Sequence, residues 1–311
     1  MSGDRTSAAA AAPRAALTVA LSDRVHAVPG GVNCAIVDLG DGGALLVDSG
    51  LDKEYGRKIR KALDGLGLTL QVILVTHSHA DHFGGNAYLL RQYPEAQVWA
   101  PEVEAELIRT PYLEPVYLFH GAKPLPELQG KWLMADPSPV HRVVGPGELT
   151  LGEVTITLVD VRGHAHRQLA VLIGDVLLAA DAVFGSETLA KYPILFAQDV
   201  IGQLAAHDTI ARQPARVLLP GHGAATEDLA GVAALNRSAV LRAAEAVLGA
   251  CDGATTEGVL AAACRTLGIV IDDLARYHLN LCVVAAHLSR LRELGMVTCD
   301  LVAARLEWRQ A

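Results

Sequence analysis

Val72-Ile73-Leu74-Val75-Thr76-His77-Ser78-His79-Ala80-Asp81-His82-Phe83-Gly84-Gly85 is the most informative segment of this chain. The apolar run Val72–Val75 reads as a buried strand. It empties into four potential metal ligands within the six residues from His77 to His82. Imidazole and carboxylate suit zinc, iron or manganese. Ligands this close in sequence converge on one point only where the backbone turns tightly, and the small Ser78 and Ala80 between them permit that. Gly84-Gly85 then open a helix, so a strand on one side and a helix on the other hold the loop. A merely solvated loop has no use for three histidines and an aspartate.

Upstream, Leu17–Leu21, Val25–Val28, Cys34–Asp38 and Ala44–Asp48 are candidate strands, with Pro29-Gly30-Gly31 and Gly40-Asp41-Gly42-Gly43 as turns. Tyr55, Ile59, Leu63 and Leu66 recur at helical spacing, predicting an amphipathic helix over Lys53–Leu66. Downstream come strands at Val98–Ala100, Val154–Val159, Leu169–Ile173, Val176–Ala180 and Arg216–Leu219. This alternation argues for a layered α/β architecture. Three more metal-capable residues follow strand ends: His164, Asp181, and His222 in Pro220-Gly221-His222-Gly223. Carboxyl ends of strands are where α/β folds place their ligands. Residues 101–147 lose periodicity and hold eight prolines, the pattern of a lid-like insertion.

The 311 residues are 51% hydrophobic and 19% charged, with a mean hydropathy of +0.29, which excludes disorder. That length suits two domains, or one large domain with an appendage. No apolar run reaches the roughly 18 residues of a spanning helix, which predicts a soluble protein with no membrane partner. The net charge of −8 disfavours nonspecific nucleic-acid binding. Five cysteines with no C-x-x-C pair read as free thiols, Cys34 among them a buried strand residue. Residues 1–16 are Ala-rich but broken by Pro13 and Arg14. They read as a disordered tail and not a secretory signal, and the expected location is cytoplasmic.

His-x-His-x-Asp-His, a Gly-His, an Asp after a strand and a Gly-His-Gly, in that order, resemble the metallo-β-lactamase-fold hydrolases, glyoxalase II-like members included. The likeness covers roughly residues 17–226 and implies a four-layer αβ/βα sandwich forming the catalytic domain. It implies two divalent metal ions, zinc first, with iron or manganese as alternatives. His77, His79 and His164 would bind one metal, Asp81, His82 and His222 the other, and Asp181 would bridge them. Asp48 matches a supporting position. A metal-bridging hydroxide would hydrolyse a small ester, thioester or lactone, with Asp81 as the catalytic residue that orients the water or carries its proton. Gly163-His164-Ala165-His166-Arg167-Gln168 departs from the family's Gly-His-Thr-x-Gly, which weakens any transfer of glyoxalase specificity. Tyr112, Tyr117, His120 and Lys123, with Trp132, are the substrate-binding candidates in the insertion.

Residues 227–311 change in character and read as a mostly helical, winged-helix-like domain. Helices are expected at Leu229–Ala250, Val259–Leu267, from Ile271 to Tyr277 and over Leu279–Leu294, then strands at Met296–Thr298 and Ala303–Trp308. Val284–Val297 resembles a recognition helix, with Arg290, Arg292, Arg305 and Arg309 as its cations. So few charges offer few phosphate contacts, so a structural module, permitting a homodimer, is preferred. The alternative is an RNA-cleaving hydrolase or a ligand sensor that uses this module for nucleic acid.

Overall fold

The computed structural model describes residues 17–311, and the expected tail at 1–16 lies outside the described residues. The first sheet comprises β1 (Val19–Ala20), β2 (Val25–Val28), β3 (Cys34–Asp38), β4 (Gly43–Val47), β5 (Thr69–Leu74), β6 (Gln97–Pro101) and β7 (Arg142–Val144), ordered as numbered. Its helices are α1 (Lys53–Leu66), α2 (Ala80–Phe83) and α3 (Asn86–Gln92), followed by α4 (Glu104–Arg109) and α5 (Leu113–Leu118). The second sheet contains β8 (Gly147–Leu151), β9 (Val154–Asp160), β10 (Leu169–Ile173), β11 (Val176–Ala180) and β12 (Val217–Pro220), in the order β12-β11-β10-β9-β8. Helices α6 (Ser186–Lys191) and α7 (Val200–Ala211) lie between β11 and β12.

Side-chain alternation builds the layers. Leu45 and Val47 of β4 face the core between the sheets, meeting Leu158, Val171 and Leu178 of the second sheet. Ala44 and Leu46 face the opposite way, onto Ile59, Ala62 and Leu63 of α1 and Leu89 of α3. Ala170, Leu177 and Leu218 likewise back onto Ala206 and Ile210 of α7. Helix, sheet, sheet, helix is the αβ/βα sandwich. Strands buried on both faces explain the continuous apolar runs.

Helix α1 has the bounds its sequence predicts, because both caps are written locally. Asp52 Oδ1 accepts from Glu54 N and Tyr55 N, and Gly67 closes the helix at φ 71°.

Beyond the sandwich come α8 (Leu229–Gly249), β13 (Asp252–Thr255), α9 (Thr256–Leu267), α10 (Leu274–Glu293), β14 (Val297–Val302) and β15 (Arg305–Gln310). The three strands form a sheet ordered β13-β15-β14 over Val259, Leu260, Val284, Leu288 and Trp308. The runs expected from Ile271 and from Leu279 are one helix, α10, since no Gly or Pro separates them. The hairpin is longer than expected because Ala303 and Ala304 take the positive φ of its turn (49° and 63°), with no Gly or Asn to signal it. Leu279 and Cys282 of α10 also prop Leu118, Leu128 and Leu133 of the 101–141 segment. Among the described residues no helix is long and apolar enough to cross a membrane.

His287 of α10 is 2% exposed, and burial, helped by Arg290, pushes its pKa down to about 4. The unfolded chain therefore binds a proton that the folded chain refuses. Stability is complete above pH about 6.5 and falls as pH drops toward 4, by about 3 kcal/mol from this group. Urea denaturation at pH 7 and pH 4 is expected to show that much less acid sensitivity in His287→Leu than in the wild type. Equal sensitivity would refute a buried neutral imidazole.

Candidate metal centre

All seven ligand candidates gather at the carboxyl ends of β5, β9, β11 and β12. Asp48, just past β4, organises the first loop. Its backbone takes φ 58°, and its Oδ1 accepts from Thr76 N (2.8 Å). Its Oδ2 accepts from Thr76 Oγ1 (2.8 Å) and from His82 Nδ1 (2.7 Å). Because the Thr76 hydroxyl gives its proton to Asp48, it accepts from His77 Nδ1 (3.1 Å). His164 Nδ1 donates to Phe196 O (3.1 Å), and His222 Nδ1 donates to Gly31 O (2.6 Å). Four imidazoles thus have their outer nitrogens tied, which fixes the ring orientations and turns each Nε2 inward.

Those inner atoms converge. His79 Nδ1 lies 3.1 Å from His77 Nε2 and 2.9 Å from His164 Nε2. Three lone pairs at such range repel unless a cation or proton sits among them. Asp181 Oδ1 is 3.3 Å from His82 Nε2, while its Oδ2 is 3.4 Å from both His164 Nε2 and His222 Nε2. Asp81 Oδ2 is 3.4 Å from His222 Nε2. His79 Nε2, His82 Nε2 and Asp181 Oδ1 are buried with no hydrogen-bond partner, a deficit that native interiors rarely tolerate. Three overlapping sets have their ligand atoms within 4.8 Å of one another: His77, His79 and His164; His77, His82 and Asp181; Asp81, His82 and His222. The donor set fits divalent cations.

Charge divides the centre. Burial drives His77 below its ordinary range, His79 to about 4 and His164 to about 3, so these three are neutral, as metal-binding imidazoles must be. At His222 burial opposes the charged form, but Asp181 and Asp81 overcome it and raise the pKa to about 10. His82 is raised in the same way, its burial outweighed by Asp181, Asp48 and Asp81.

A sequence model of the metallo-beta-lactamase superfamily matches residues 27–222. The chain belongs to the metallo-beta-lactamase superfamily. The match spans the sandwich from β3 to β12 and all seven converging residues. The chain is 32% identical over 173 residues to a hydroxyacylglutathione hydrolase of Albidiferax ferrireducens, covering 55% of this chain and 54% of that one. It thus spans about half the length of that curated relative. Two solved structures extend the likeness in fold to the C-terminal helices. A metallo-beta-lactamase family protein from Thermus thermophilus superposes with a TM-score of 0.74 at 21% identity, over 94% of this chain and all of that one. A beta-lactamase domain protein from Burkholderia ambifaria does so with 0.73 at 20%, over 97% and 96%.

This superfamily member carries a groove of about 610 Å³, lined by Val103, Leu107, Leu113, Tyr117, Val143 and His166 among others, with none of the seven converging residues in its wall. Of the four substrate-binding candidates only Tyr117 lines it, its hydroxyl accepting from Gln198 Nε2 (3.2 Å). Tyr112 and Lys123 are exposed, and His120 sits by His278, ring centroids 6.4 Å apart. The irregular stretch ends before 142, where β7 extends the first sheet alongside β6. Sequence reasoning missed the buried Glu104, which holds the first ligand loop. A lone carboxylate in an aperiodic stretch carries no signal.

Proposed function

We propose that this chain is a metal-dependent hydrolase of small acyl compounds, namely esters, thioesters or lactones. His77, His79 and His164 would hold one divalent cation, and Asp81, His82 and His222 a second, with Asp181 shared between them. Zinc is the first choice for this donor set, ahead of iron and manganese. The single observation that carries this is the convergence of the inward Nε2 atoms of His77, His82, His164 and His222, whose outer nitrogens are engaged, with His79 Nδ1 and two carboxylates. Bound there, two cations supply Lewis acidity and acidify water toward neutral pH.

The chain's own groups do the rest. Asp81 has the most exposed carboxylate of the centre, its side chain 26% accessible where that of Asp181 is 6%. It is therefore the group that receives the attacking water's proton at Oδ and returns it to the leaving group. Asp48 and Thr76 hold His82 and His77 in the orientation that turns Nε2 toward the centre. The Leu107, Leu113 and Tyr117 wall seats the apolar body of the acyl group and excludes water from it. Arg305 and Arg309 both close on Glu307 (3.0 and 2.8 Å), spending ribbon charge internally, which favours the acyl reading over RNA.

The test is a hydrolysis panel on zinc-replete protein, with Asp81→Ala beside it. Thioesters, lactones, carboxylic esters and a short single-stranded RNA are offered separately. Acyl cleavage alone, lost in the variant, is the expected result. Cleavage of RNA alone would overturn it.

A further inference from the structure

We infer that Glu104 is the positioning residue that locks the two ligand-bearing loops together, fixing His77 and His79 relative to His164. The inference rests on the metal-centre reading above and adds a residue outside the ligand set. Glu104 lies at the start of α4 and is 1% exposed. Its Oε2 accepts from Ser78 N (3.0 Å) and Ser78 Oγ (2.6 Å), and its Oε1 accepts from Arg167 N (3.0 Å). Ser78 stands between His77 and His79, and Arg167 stands three residues past His164. One side chain therefore spans both loops at their tips. The remaining backbone tie between them, Leu169 N to Thr76 O (3.2 Å), lies at their base.

The backbone is bent to deliver this carboxyl group. Val103 takes φ 64° and ψ −55°, closing a tight turn through Glu104 N to Glu102 O (2.6 Å). This γ-turn is rare and strained for any residue with a side chain, and most of all for a β-branched one. Such strain persists only where surrounding contacts over-determine it, and it clusters at functional sites. Asp48 (φ 58°) and Ala180 (φ 45°), the latter directly before Asp181, are further positive-φ residues at this centre.

Both Glu104 oxygens act as acceptors, so the isosteric amide cannot replace them. In Glu104→Gln one oxygen becomes an NH₂ that faces an N–H, and one loop is released. Partners that orient metal ligands cost about 10–100-fold in metal affinity when removed.

The experiment compares wild type, Glu104→Gln and Ser78→Ala, each as full-length protein. Three readouts are taken: zinc affinity by chelator competition, the visible spectrum of the cobalt(II) form, and kcat and KM on an acyl ester. Glu104→Gln is expected to bind zinc about 10–100-fold more weakly, with a changed cobalt spectrum and a lowered kcat at unchanged KM. Ser78→Ala removes only the hydroxyl contact, and a smaller change in the same direction is expected even if Glu104→Gln does not fold. Wild-type zinc affinity and cobalt spectrum in both variants would overturn the inference while leaving the hydrolase intact. A wild-type protein that takes up no cobalt would overturn the metal centre itself, and the inference with it.

Discussion

Asp181→Ala is expected to abolish hydrolysis while leaving the circular dichroism spectrum of the sandwich intact. Asp181 Oδ2 lies 3.4 Å from His164 on one side of the centre and 3.4 Å from His222 on the other. Its Oδ1 is buried and unpartnered, 3.3 Å from His82 Nε2. Burial alone would raise this carboxyl group, but His222 and His82 outweigh it and hold the pKa well below the usual range, so the group is an anion. Among the described residues no other carboxylate lies this close to both His164 and His222, so under the proposed two-metal reading its loss would remove the shared ligand and half of the neutralising charge. Outer-shell partners of metal sites cost about 10–100-fold when removed. A shared inner ligand should cost more, on the order of 10³-fold in kcat/KM, with no more than one zinc retained per chain. Steady-state kinetics and metal content of the purified variant check both. Retention of full activity with two zinc ions would sink the dinuclear reading.

Gly221→Ala should do nearly as much damage through one methyl group. A Cβ at position 221 would stand well inside contact distance of Asp181 Oδ1 and 3.0 Å from the carbonyl carbon of Ala180. The backbone cannot retreat, because Gly221 N donates to Ala180 O (2.6 Å) and Gly221 O accepts from Asn33 N (2.7 Å). Asp181 must therefore move. Overpacking of this kind costs about 1–3 kcal/mol, and the displaced carboxylate should lower activity by about 10²-fold through weaker metal binding. Gly65→Ala provides the contrast: it lies exposed in α1 with nothing within 4 Å of a Cβ. There alanine should stabilise the protein by about 0.5–1 kcal/mol, because a helical glycine carries excess chain entropy. Thermal melts and zinc content of the two variants separate a crowded site from a generic glycine effect. A Gly221→Ala protein with normal zinc and normal turnover would contradict the geometry.

The sandwich and its centre were legible where the information is local. His77, His79, Asp81 and His82 lie within six consecutive residues, and His164, Asp181 and His222 each follow a strand whose apolar run marks its own end. Helix α1 was legible to the residue because Asp52 and Gly67 cap it in sequence. What was hidden depends on distance or on backbone. The outer nitrogens of His164 and His222 are held by the carbonyls of Phe196 and Gly31, which carry no side-chain signature. Glu104 acts across 26 and 63 residues of chain. Strand β7 has three residues, too few to show alternation. The turn at Ala303-Ala304 uses a conformation alanine rarely adopts, so the hairpin's length was not announced.

Zinc titration into metal-free protein, counted per chain by elemental analysis after removal of free metal, tests the centre most directly. The seven converging side chains should retain two zinc ions per chain in the wild type and no more than one in Asp181→Ala. No zinc retained by the wild type, or two in both proteins, would contradict the assignment of these residues as a shared two-metal site.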